Sequence, residues 1–470
     1  MAVLSGFSGS RTSAGTRRPR RWRGVERTPT LVGELVAKRA RVDGDEVAML
    51  AARGDRSVTW DDVAAAAELW QVRFGDGRQQ ADVGTRVGLR MSSQVDFGRE
   101  YLAGLAAGVT VVPLDPATSE AELLWSAASL ALTHVMSDAG EVIELYIPRS
   151  PHGGSRSHRK PIPTWPASDA LAFDRLPAGV GGTGGVGRAW HPSVAPLDTP
   201  LPSVADLDRP AVVLATKGST GAPKLVPFTQ RQLLRAAGGV VSHFGLQARD
   251  RGYMAMPLHG VDSQVVGILA VLLSGGSVVV ADGFDRRSFW ADVGRSQATW
   301  LNLVPAMVRS LDEMAIRDVT VRERLRFARV GGAALSLATH STFWESTGIS
   351  LVETYTLTEA AGPVAANPMD LGRRRAGSAG LPVGVEVRIV EGAGRAVPNG
   401  TAGRIQVRGA AVATHYVSYG RNRCELAAQE ADGWLATGDL GCFSREGYLY
   451  IAGREVDGEL GRVQAQASGA

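Results

Sequence analysis

The stretch ATKGSTGAPKLVPFTQ contains the residue types that can bind an anion. Gly218 and Gly221 allow backbone N–H groups to turn toward a negative charge. The hydroxyls of Ser219 and Thr220 can donate further hydrogen bonds, and Lys224 adds a full positive charge. The spacing does not fit the pattern Gly-x-x-x-x-Gly-Lys-[Ser/Thr] of a Walker loop. The stretch therefore predicts either another kind of anion-binding loop or an ordinary connection between a strand and a helix.

Two later stretches place polar side chains beside strand patterns. YTLTEAAG follows one strand and contains Tyr355, Thr358 and Glu359. GWLATGDLGCFSREGYLYIAGR closes a β-rich segment and contains Asp439 and Arg454. Taken singly, Asp439 could cap a turn, Glu359 could start a solvated helix and Tyr355 could be a core residue.

Helical and strand patterns alternate on both sides of the loop. The loop follows the apolar run AVVLA and precedes a helical pattern that begins near Gln230. Residues 30–138 and 211–364 both alternate helical spacing with short β-rich runs, whereas from Gly377 onward short strands alternate at period two. These patterns predict an α/β fold class, with two α/β subdomains whose sheets are mainly parallel and a small antiparallel sheet or β-barrel subdomain.

The same patterns divide the chain into six segments. We predict a disordered Arg-rich tail (1–27), a first α/β subdomain (28–147), a Pro/Gly-rich insertion or linker (148–209), a second α/β subdomain with the candidate loop (210–376), a β-barrel subdomain (377–457) and a divergent tail (458–470). The tandem GGTGGVG in the linker follows no strand pattern and precedes no helix pattern, so we do not expect it to bind a nucleotide.

Composition and charge exclude several classes of function. The net charge is +4, but residues 1–27 hold seven arginines and one glutamate, so the remaining residues carry −2. The body of the chain is therefore not expected to bind nucleic acid. No apolar run reaches the ~20 residues of a bilayer span. Cys424 and Cys442 match no metal-binding spacing and are expected to be reduced thiols of a cytoplasmic protein.

The three motifs, in this order and spacing, resemble the core motifs of the adenylate-forming superfamily, which includes acyl-CoA synthetases, peptide-synthetase adenylation domains and luciferases. The usual [Ser/Thr]-Ser-Gly-[Ser/Thr]-Thr-Gly-x-Pro-Lys-Gly loop reads T-K-G-S-T-G-A-P-K-L here, and the usual Tyr-Gly-x-Thr-Glu reads Y-T-L-T-E. The Thr-Gly-Asp motif and the later Gly-Arg are intact. The resemblance covers about residues 28–457 and is nearest to acyl-CoA synthetases of the oxalate–CoA ligase-like branch.

This resemblance implies an AMP-forming ligase. A carboxylic acid and ATP would give an acyl-adenylate and pyrophosphate, and CoA would then give acyl-CoA and AMP. ATP, Mg²⁺ and CoA would be the required small molecules. Two alternatives stay open: a non-catalytic ATP- or AMP-binding relative, and a stand-alone adenylation domain that serves a carrier protein.

The resemblance also implies catalytic roles for individual residues. Ser219, Thr220 and Lys224 would hold the β- and γ-phosphates of ATP. Thr358 would hold the α-phosphate, and Glu359 would ligate Mg²⁺, a hard cation that prefers oxygen ligands.

Further residues would contact the nucleoside, and further loop residues would contact the nucleotide. Tyr355 would stack on the adenine, and Asp439 would accept hydrogen bonds from both ribose hydroxyls, with Arg454 orienting the sugar. The other residues that would contact the nucleotide are Thr216, Gly218, Gly221, Gly331, Gly332 and Ala333. The last three would line the adenine slot, since a strand end without side chains lets a base approach.

The acyl pocket implied by the resemblance comprises His259, Asp262, Ala334 and Gly362. Relatives have serines where Gly332 and Ala334 stand, and histidines where Asp262 and Gly362 stand. A pocket without these donors cannot pair the second charge of a dicarboxylate, and an unpaired buried charge is costly. We therefore expect a less polar acid. Alternatively, Asp262 selects a cationic or hydroxylated substrate, or it only caps the helix that follows.

Two departures from the family pattern affect the expected activity. Lys217 replaces a small hydroxyl residue, and two ammonium groups ~6 Å apart repel by roughly 3 kcal/mol at an effective dielectric near 20. Lys217 would thus strengthen triphosphate binding, compete with Mg²⁺ or point to solvent. The family also continues after Gly-Arg-x-x-Asp into a lid that carries a lysine. Here only a few residues follow Asp457, and no lysine follows Lys224. The resemblance implies impaired activity of this chain alone, with a separate lid domain or a homodimer as possible partners.

Overall fold

The structure is a computed structural model, and it describes residues 31–74, 84–138, 142–145, 173–175, 209–216, 224–311, 314–316, 318–392, 394–418 and 424–455. The Arg-rich tail and most of the predicted linker lie outside these residues. So do residues 217–223 of the candidate loop and the residue of the expected hinge. The residues among them to which the sequence analysis gave a role are Lys217, Gly218, Ser219, Thr220, Gly221 and Asp457. Everything inferred for them stays a prediction.

Helices make up much of the described chain. The α-helices are α1 (Leu31–Asp43), α2 (Trp60–Phe74), α3 (Gln94–Ala106), α4 (Glu120–Leu130), α5 (Gln230–Phe244), α6 (Ala270–Ser274), α7 (Phe289–Arg295), α8 (Pro305–Leu311), α9 (Val319–Arg324) and α10 (Leu337–Thr347). A π-helical segment spans Ser263–Leu269, and 3₁₀ turns span Thr358–Ala360 and Leu371–Arg373. No helix within the described ranges is long and apolar enough to span a bilayer.

The strands follow the same alternation. They are β1 (Val47–Ala51), β2 (Ser57–Thr59), β3 (Arg86–Arg90), β4 (Thr110–Leu114), β5 (His134–Ser137), β6 (Val142–Leu145), β7 (Phe173–Arg175), β8 (Val212–Ala215), β9 (Leu225–Phe228), β10 (Arg251–Met254), β11 (Ser277–Val280), β12 (Trp300–Leu303), β13 (Phe327–Gly331), β14 (Leu351–Leu357), β15 (Gly362–Ala366), β16 (Leu381–Pro382), β17 (Glu386–Glu391), β18 (Arg395–Ala396), β19 (Gly403–Arg408), β20 (His415–Ser418), β21 (Cys424–Ala427), β22 (Leu435–Phe443) and β23 (Leu449–Arg454).

In the described part of the chain these strands form three sheets. The first has the order β16-β15-β14-β13-β12-β10-β11-β1-β2, and its strands from β14 to β1 are parallel. The second has the order β21-β20-β9-β8-β4-β3-β5-β6-β7, with β8, β4, β3 and β5 parallel. The third, β18-β17-β19-β22-β23, is antiparallel. After Gly377, five of the described strands form this antiparallel sheet, whereas β16, β20 and β21 join the two larger sheets.

The sheets do not follow the predicted chain segments. Strands β1 and β2 come from the predicted first α/β segment but complete the sheet of the second. Strands β8 and β9 come from the second segment and join the sheet of the first, where β20 and β21 extend it. Strand pairing depends on contacts between distant residues, which local patterns do not encode. The pairing of β20 with β9 brings Lys224 beside a strand of the C-terminal third of the chain.

One buried core joins the two α/β sheets. Residues of both sheets and of the helices between them belong to a single apolar cluster that includes Trp60, Tyr101 and Phe228. The buried side chain of Gln230 fastens these helices together. Its Oε1 accepts from the N–H of Val32 at 2.9 Å, and its Nε2 donates to the carbonyl of Leu105 at 2.7 Å. This rigid layer supports the strands that carry the candidate site.

Candidate functional site

The candidate loop connects β8 to β9, two strands that pair antiparallel. At its base the N–H of Thr216 donates to the carbonyl of Lys224 at 2.8 Å, and the N–H of Lys224 donates to Thr216 Oγ1 at 3.2 Å. The sequence-based prediction placed the loop before the helix that begins near Gln230, without the intervening strand β9. Pro227 within β9 hides the strand pattern, because proline cannot donate to a sheet. Helix α5 does begin at Gln230, as predicted, with a capping box at Thr229.

Tyr416 links the end of the loop to the turn that contains Glu359. The ammonium nitrogen of Lys224 lies 4.8 Å from the centroid of the Tyr416 ring, within the range of a cation–π contact. The Tyr416 hydroxyl donates to Glu359 Oε1 at 3.3 Å. Burial and the neighbouring Glu359 carboxylate raise the pKa of Tyr416, so the phenol stays protonated and remains a donor. A cation at the ring face and a carboxylate at the ring hydroxyl thus contact the same tyrosine.

Tyr416 was not among the residues predicted from the sequence. It lies on β20, which pairs with β9 through Val417 and Leu225. This pairing, between residues far apart in the chain, sets the tyrosine beside Lys224. The surrounding stretch THYVS shows only a short strand pattern, so no local signal distinguishes Tyr416 from a surface strand residue.

The Glu359 turn has a tightly constrained backbone. Thr358 and Glu359 form a 3₁₀ turn between β14 and β15, and the Glu359 carbonyl accepts from the N–H of Ala413 at 2.7 Å. The turn ends with Ala361 at a φ of 56° and Gly362 at a φ of 129°. Because a φ of 129° suits only glycine, a side chain at position 362 would be strained. The donor expected there from relatives is therefore incompatible with this backbone.

Tyr355, Asp439 and Arg454 form a second cluster, between the first and third sheets. The Tyr355 hydroxyl donates to Asp439 Oδ2, and Arg454 Nε donates to Asp439 Oδ1 at 2.9 Å. Burial, followed by the charge of Asp439, raises the pKa of Tyr355. The hydrogen bond to Asp439 raises the pKa of Arg454. The structure thus brings together the three residues that the sequence predicted at the nucleoside.

Gly331 and Gly332, at the end of β13, differ in the space that a side chain would have. A Cβ at Gly331 would lie 2.5 Å from Thr354 Oγ1, so the side-chain space at this position is filled by the protein itself. Gly332 has a φ of 88° and meets only Val304, with its added Cβ 4.0 Å away. Gly332, Ala333 and Ala334 are exposed. An open slot at this strand end therefore starts at Gly332.

Asp262 does not cap the helix that follows it. The interpretation of Asp262 as a helix cap is therefore wrong. Its side chain makes no capping hydrogen bond to any described residue, because the carboxylate is held by Arg329. The guanidinium of Arg329 is completely buried and binds both carboxylate oxygens, at 2.5 and 2.8 Å. The sequence analysis missed Arg329, although an arginine inside the apolar run RFARVGG was a visible signal.

His259 lies in the connection between β10 and the π-helical segment. Its Nε2 is 3.9 Å from Asp115 Oδ2, and its carbonyl accepts from Gln264 Nε2 at 2.9 Å. A cavity of about 230 Å³ lies between α5, the Glu359 turn and the third sheet. Its lining includes Arg235, Ala360 and Pro363. The cavity therefore reaches the last residue of the Glu359 turn and the strand that follows it.

The Glu359 turn offers one carboxylate to a divalent metal. Within the described ranges no cluster of three or more His, Cys, Asp or Glu side chains is placed to hold a metal. Mg²⁺ is commonly bound by one or two carboxylates together with phosphate oxygens of a substrate. The half-buried carboxylate of Glu359 fits that mode of binding.

Glu353, two residues before Tyr355, gives a prediction for the pH dependence of stability. Burial raises its pKa to about 7, against an ordinary value of 4.5, although the N–H of Gly377 donates to its Oε1 at 2.8 Å. The native state holds this proton to higher pH than the unfolded state does. Native stability therefore falls as the pH rises from about 4.5 to about 7, and the loss persists above that range.

Replacing Glu353 with glutamine, which keeps the acceptor for Gly377, should remove this loss. We expect the free energy of unfolding of E353Q to exceed that of the wild type by about 2 kcal/mol more at pH 8 than at pH 5. Urea denaturation at the two pH values measures the difference. An equal difference at both pH values would show that Glu353 titrates normally.

The amino-acid sequence is similar to that of known proteins. The family described as AMP-binding enzyme matches residues 36–417. Sulfoacetate–CoA ligase of Cupriavidus necator is 30% identical over 439 residues, which cover 89% of this chain and 77% of that ligase. Oxalate–CoA ligase of Arabidopsis thaliana is 32% identical over 271 residues, covering 56% of this chain and 52% of that ligase. The chain thus spans about three quarters of the first relative and half of the second.

Solved structures of CoA ligases are also similar to this chain. A malonyl-CoA ligase, in a ternary product complex with methylmalonyl-CoA and AMP, is 26% identical with a TM-score of 0.65, covering 88% of this chain and 78% of that one. ATP-bound MatB from Rhodopseudomonas palustris has a TM-score of 0.68 at 22% identity, covering 90% and 78%, and at this identity the likeness concerns the fold. The mixed α/β fold with parallel sheets and the resemblance to adenylate-forming CoA ligases are thereby confirmed. The chain belongs to the AMP-binding enzyme family.

Proposed function

We propose that this chain activates a carboxylic acid with ATP, giving an acyl-adenylate and pyrophosphate, and that the acyl group then passes to the thiol of CoA. The observation that carries the proposal is that Lys224 and Glu359 contact the same side chain, Tyr416, one at the ring face and the other at the hydroxyl. Joining a carboxylate to a phosphate brings two anions together. The reaction therefore needs a fixed cation and a metal-binding carboxylate at the same place.

Lys224 neutralises the terminal phosphates in this proposal. Its side chain is exposed, so a ligand can reach it, and the face of Tyr416 limits where the ammonium can point. The hydrogen bonds between Lys224 and Thr216 join the two chain segments that flank the loop. Ser219, Thr220, Gly218 and Gly221 would add donors from the loop itself, as predicted from the sequence.

Glu359 holds Mg²⁺ together with phosphate oxygens of ATP. When bound, the metal lowers the negative charge on the phosphates and orients the leaving pyrophosphate. The hydrogen bond from Tyr416 orients the Glu359 carboxylate from one side and leaves its remaining lone pairs for a ligand. The hydroxyl of Thr358, one residue earlier on the same turn, donates to the α-phosphate.

Asp439 binds the ribose. Each of its carboxylate oxygens accepts one hydrogen bond within the protein, from Tyr355 or from Arg454, and each retains a lone pair for a ribose hydroxyl. Arg454 holds the carboxylate in place and balances its charge. The half-buried ring of Tyr355 offers an apolar face to the adenine, with Gly332 and Ala333 at the open strand end beside it.

The acid and the thiol of CoA reach the α-phosphate from the side of the Glu359 turn. The cavity of about 230 Å³ beside Ala360 and Pro363 lies next to this turn and is a candidate for part of their path. The relatives are named for sulfoacetate and oxalate, so we take a short carboxylic acid as the first substrate class to test.

Two measurements on the purified chain test the proposal. Calorimetry with ATP and Mg²⁺ should show stoichiometric binding, and exchange of labelled pyrophosphate into ATP should depend on an added acid. Binding without exchange by any acid would favour a non-catalytic nucleotide-binding relative. Exchange without transfer to CoA would favour an adenylation domain that serves a carrier protein. If neither ATP nor AMP bound, the proposal would be rejected.

A further inference from the structure

The ion pair of Asp262 and Arg329 is the most unusual polar feature near the candidate acyl pocket. Arg329 is fully buried, whereas the Asp262 side chain is 23% exposed. Both terminal guanidinium nitrogens bind the carboxylate, and Nη1 also donates to Asn302 Oδ1 at 2.6 Å. A bidentate pair of this kind fixes the orientation of both side chains. We call these two residues the charge pair.

The charge pair lies where open α/β sheets bind ligands, at the carboxyl ends of the parallel strands. Arg329 precedes Gly331, the last residue of β13, and its Nη2 is 3.1 Å from the position of a Cβ added at Gly331. Asp262 precedes the π-helical segment Ser263–Leu269, a geometry found often at functional sites. Val265 of that segment lies against Gly362, where an added Cβ would be 3.6 Å away.

The surroundings of the charge pair are incompletely hydrogen-bonded. Arg329 Nε, Asn302 Nδ2 and Gln264 Oε1 are buried and have no partner among the described residues. Buried polar atoms in native proteins are nearly always paired, and an ion pair kept only for stability gains most when every group is satisfied. A bound ligand or a buried water could therefore pair with these atoms beside the charge pair.

We propose that the charge pair makes the acyl pocket electrically neutral and so selects acids without a second charged group. This inference rests on the proposed ligase function. A second carboxylate would have to displace Asp262 from Arg329, and a cationic group would have to compete with Arg329 for Asp262. Either exchange leaves one charge of the pair buried and unpaired, which is costly. The exposed edge of Asp262 can still accept a hydrogen bond from an uncharged hydroxyl.

Each partner then suppresses one class of substrate, so substitutions should change selectivity in opposite directions. Asp262→Asn keeps the shape of the side chain but leaves the Arg329 charge without a counter-ion, which favours a dianionic acid. Arg329→Gln leaves the Asp262 charge without a counter-ion, which favours an acid with a cationic end. Combining both substitutions restores neutrality and should restore the preference of the wild type.

The test is acid-dependent pyrophosphate exchange with four acids of equal length: butyrate, γ-hydroxybutyrate, succinate and γ-aminobutyrate. The same set lengthened by two methylene groups covers a deeper pocket. We expect the wild type to prefer the two uncharged acids. The succinate-to-butyrate ratio should rise about 10-fold or more in Asp262→Asn, and the γ-aminobutyrate-to-butyrate ratio should rise similarly in Arg329→Gln. A ratio within one preparation is independent of how much of the variant is folded.

A matched control pair lies at the opposite edge of the same sheet. Asp250, the residue before β10, is buried. It accepts a hydrogen bond at 2.6 Å from Nη1 of Arg326, the residue before β13. Asp250→Asn removes a comparable charge far from the pocket, so it should lower stability and leave both ratios unchanged.

The outcomes separate the two proposals. Exchange with unchanged ratios in Asp262→Asn would overturn the selectivity proposal and leave the ligase proposal intact. A wild type that prefers succinate or γ-aminobutyrate would overturn it as well. Absence of exchange with every acid would overturn the ligase proposal, and the selectivity proposal with it.

Discussion

Replacing Lys224 with alanine is expected to weaken ATP binding by about 10–100-fold and to slow acid-dependent pyrophosphate exchange by about 10²–10³-fold. The first figure corresponds to losing a hydrogen bond from a charged donor, and the second to losing a donor that stabilises charge in a transition state. Lys224 is exposed and contacts the face of Tyr416, so its removal leaves no cavity in the core. The loss should therefore appear in binding and catalysis, with little change in stability.

Two control variants make this result specific. Lys224→Arg keeps the positive charge and should recover part of the ATP affinity. Lys38, exposed on α1, is the matched control, because Lys38→Ala removes the same charge from the surface of the protein. Calorimetry of ATP binding compares all three variants. If Lys224→Ala bound ATP as tightly as Lys38→Ala, Lys224 would have no part in nucleotide binding.

Replacing Glu359 with glutamine should reduce pyrophosphate exchange by about 10²–10³-fold, because it removes the carboxylate that ligates the metal. Glutamine keeps a side-chain oxygen that can accept from Tyr416, so the local hydrogen bond survives. The concentration of Mg²⁺ that half-saturates exchange should rise, since a neutral oxygen binds a hard cation more weakly than a carboxylate does.

The direction in which ATP affinity changes without Mg²⁺ distinguishes a metal-binding role of Glu359 from a structural role. In the absence of Mg²⁺, Glu359 repels the triphosphate, so E359Q should bind free ATP more tightly than the wild type does. Glu386→Gln is the control, because Glu386 is an exposed carboxylate paired with Arg408 on the third sheet, at 2.7 Å. If E359Q bound ATP more weakly both with and without Mg²⁺, and its Mg²⁺ requirement were unchanged, the metal-binding role would be contradicted.

Local patterns predicted the elements of the fold better than their arrangement. The start of α5 at Gln230 and the alternation of helices and strands follow from hydrophobic spacing and capping residues, which are local properties. The placement of β1 and β2 in one sheet and of β8 and β9 in the other depends on pairing between distant residues. β9 was missed because Pro227 interrupts its strand pattern.

The candidate site shows the same division. Motif residues such as Tyr355, Asp439 and Arg454 could be named from the sequence, and the structure brings their side chains together. Tyr416 could not be named, since only the pairing of β20 with β9 gives it contact with Lys224. Arg329 is an intermediate case. Its charge in an apolar strand was visible, but its partner Asp262 lies 67 residues away in the chain.

A crystal structure of the chain with ATP and Mg²⁺ tests the central claim most directly. We predict a phosphate oxygen about 3 Å from Lys224 Nζ and a metal about 2.1 Å from a carboxylate oxygen of Glu359. A nucleotide bound away from both side chains, or a site still empty at millimolar ATP, would contradict the account.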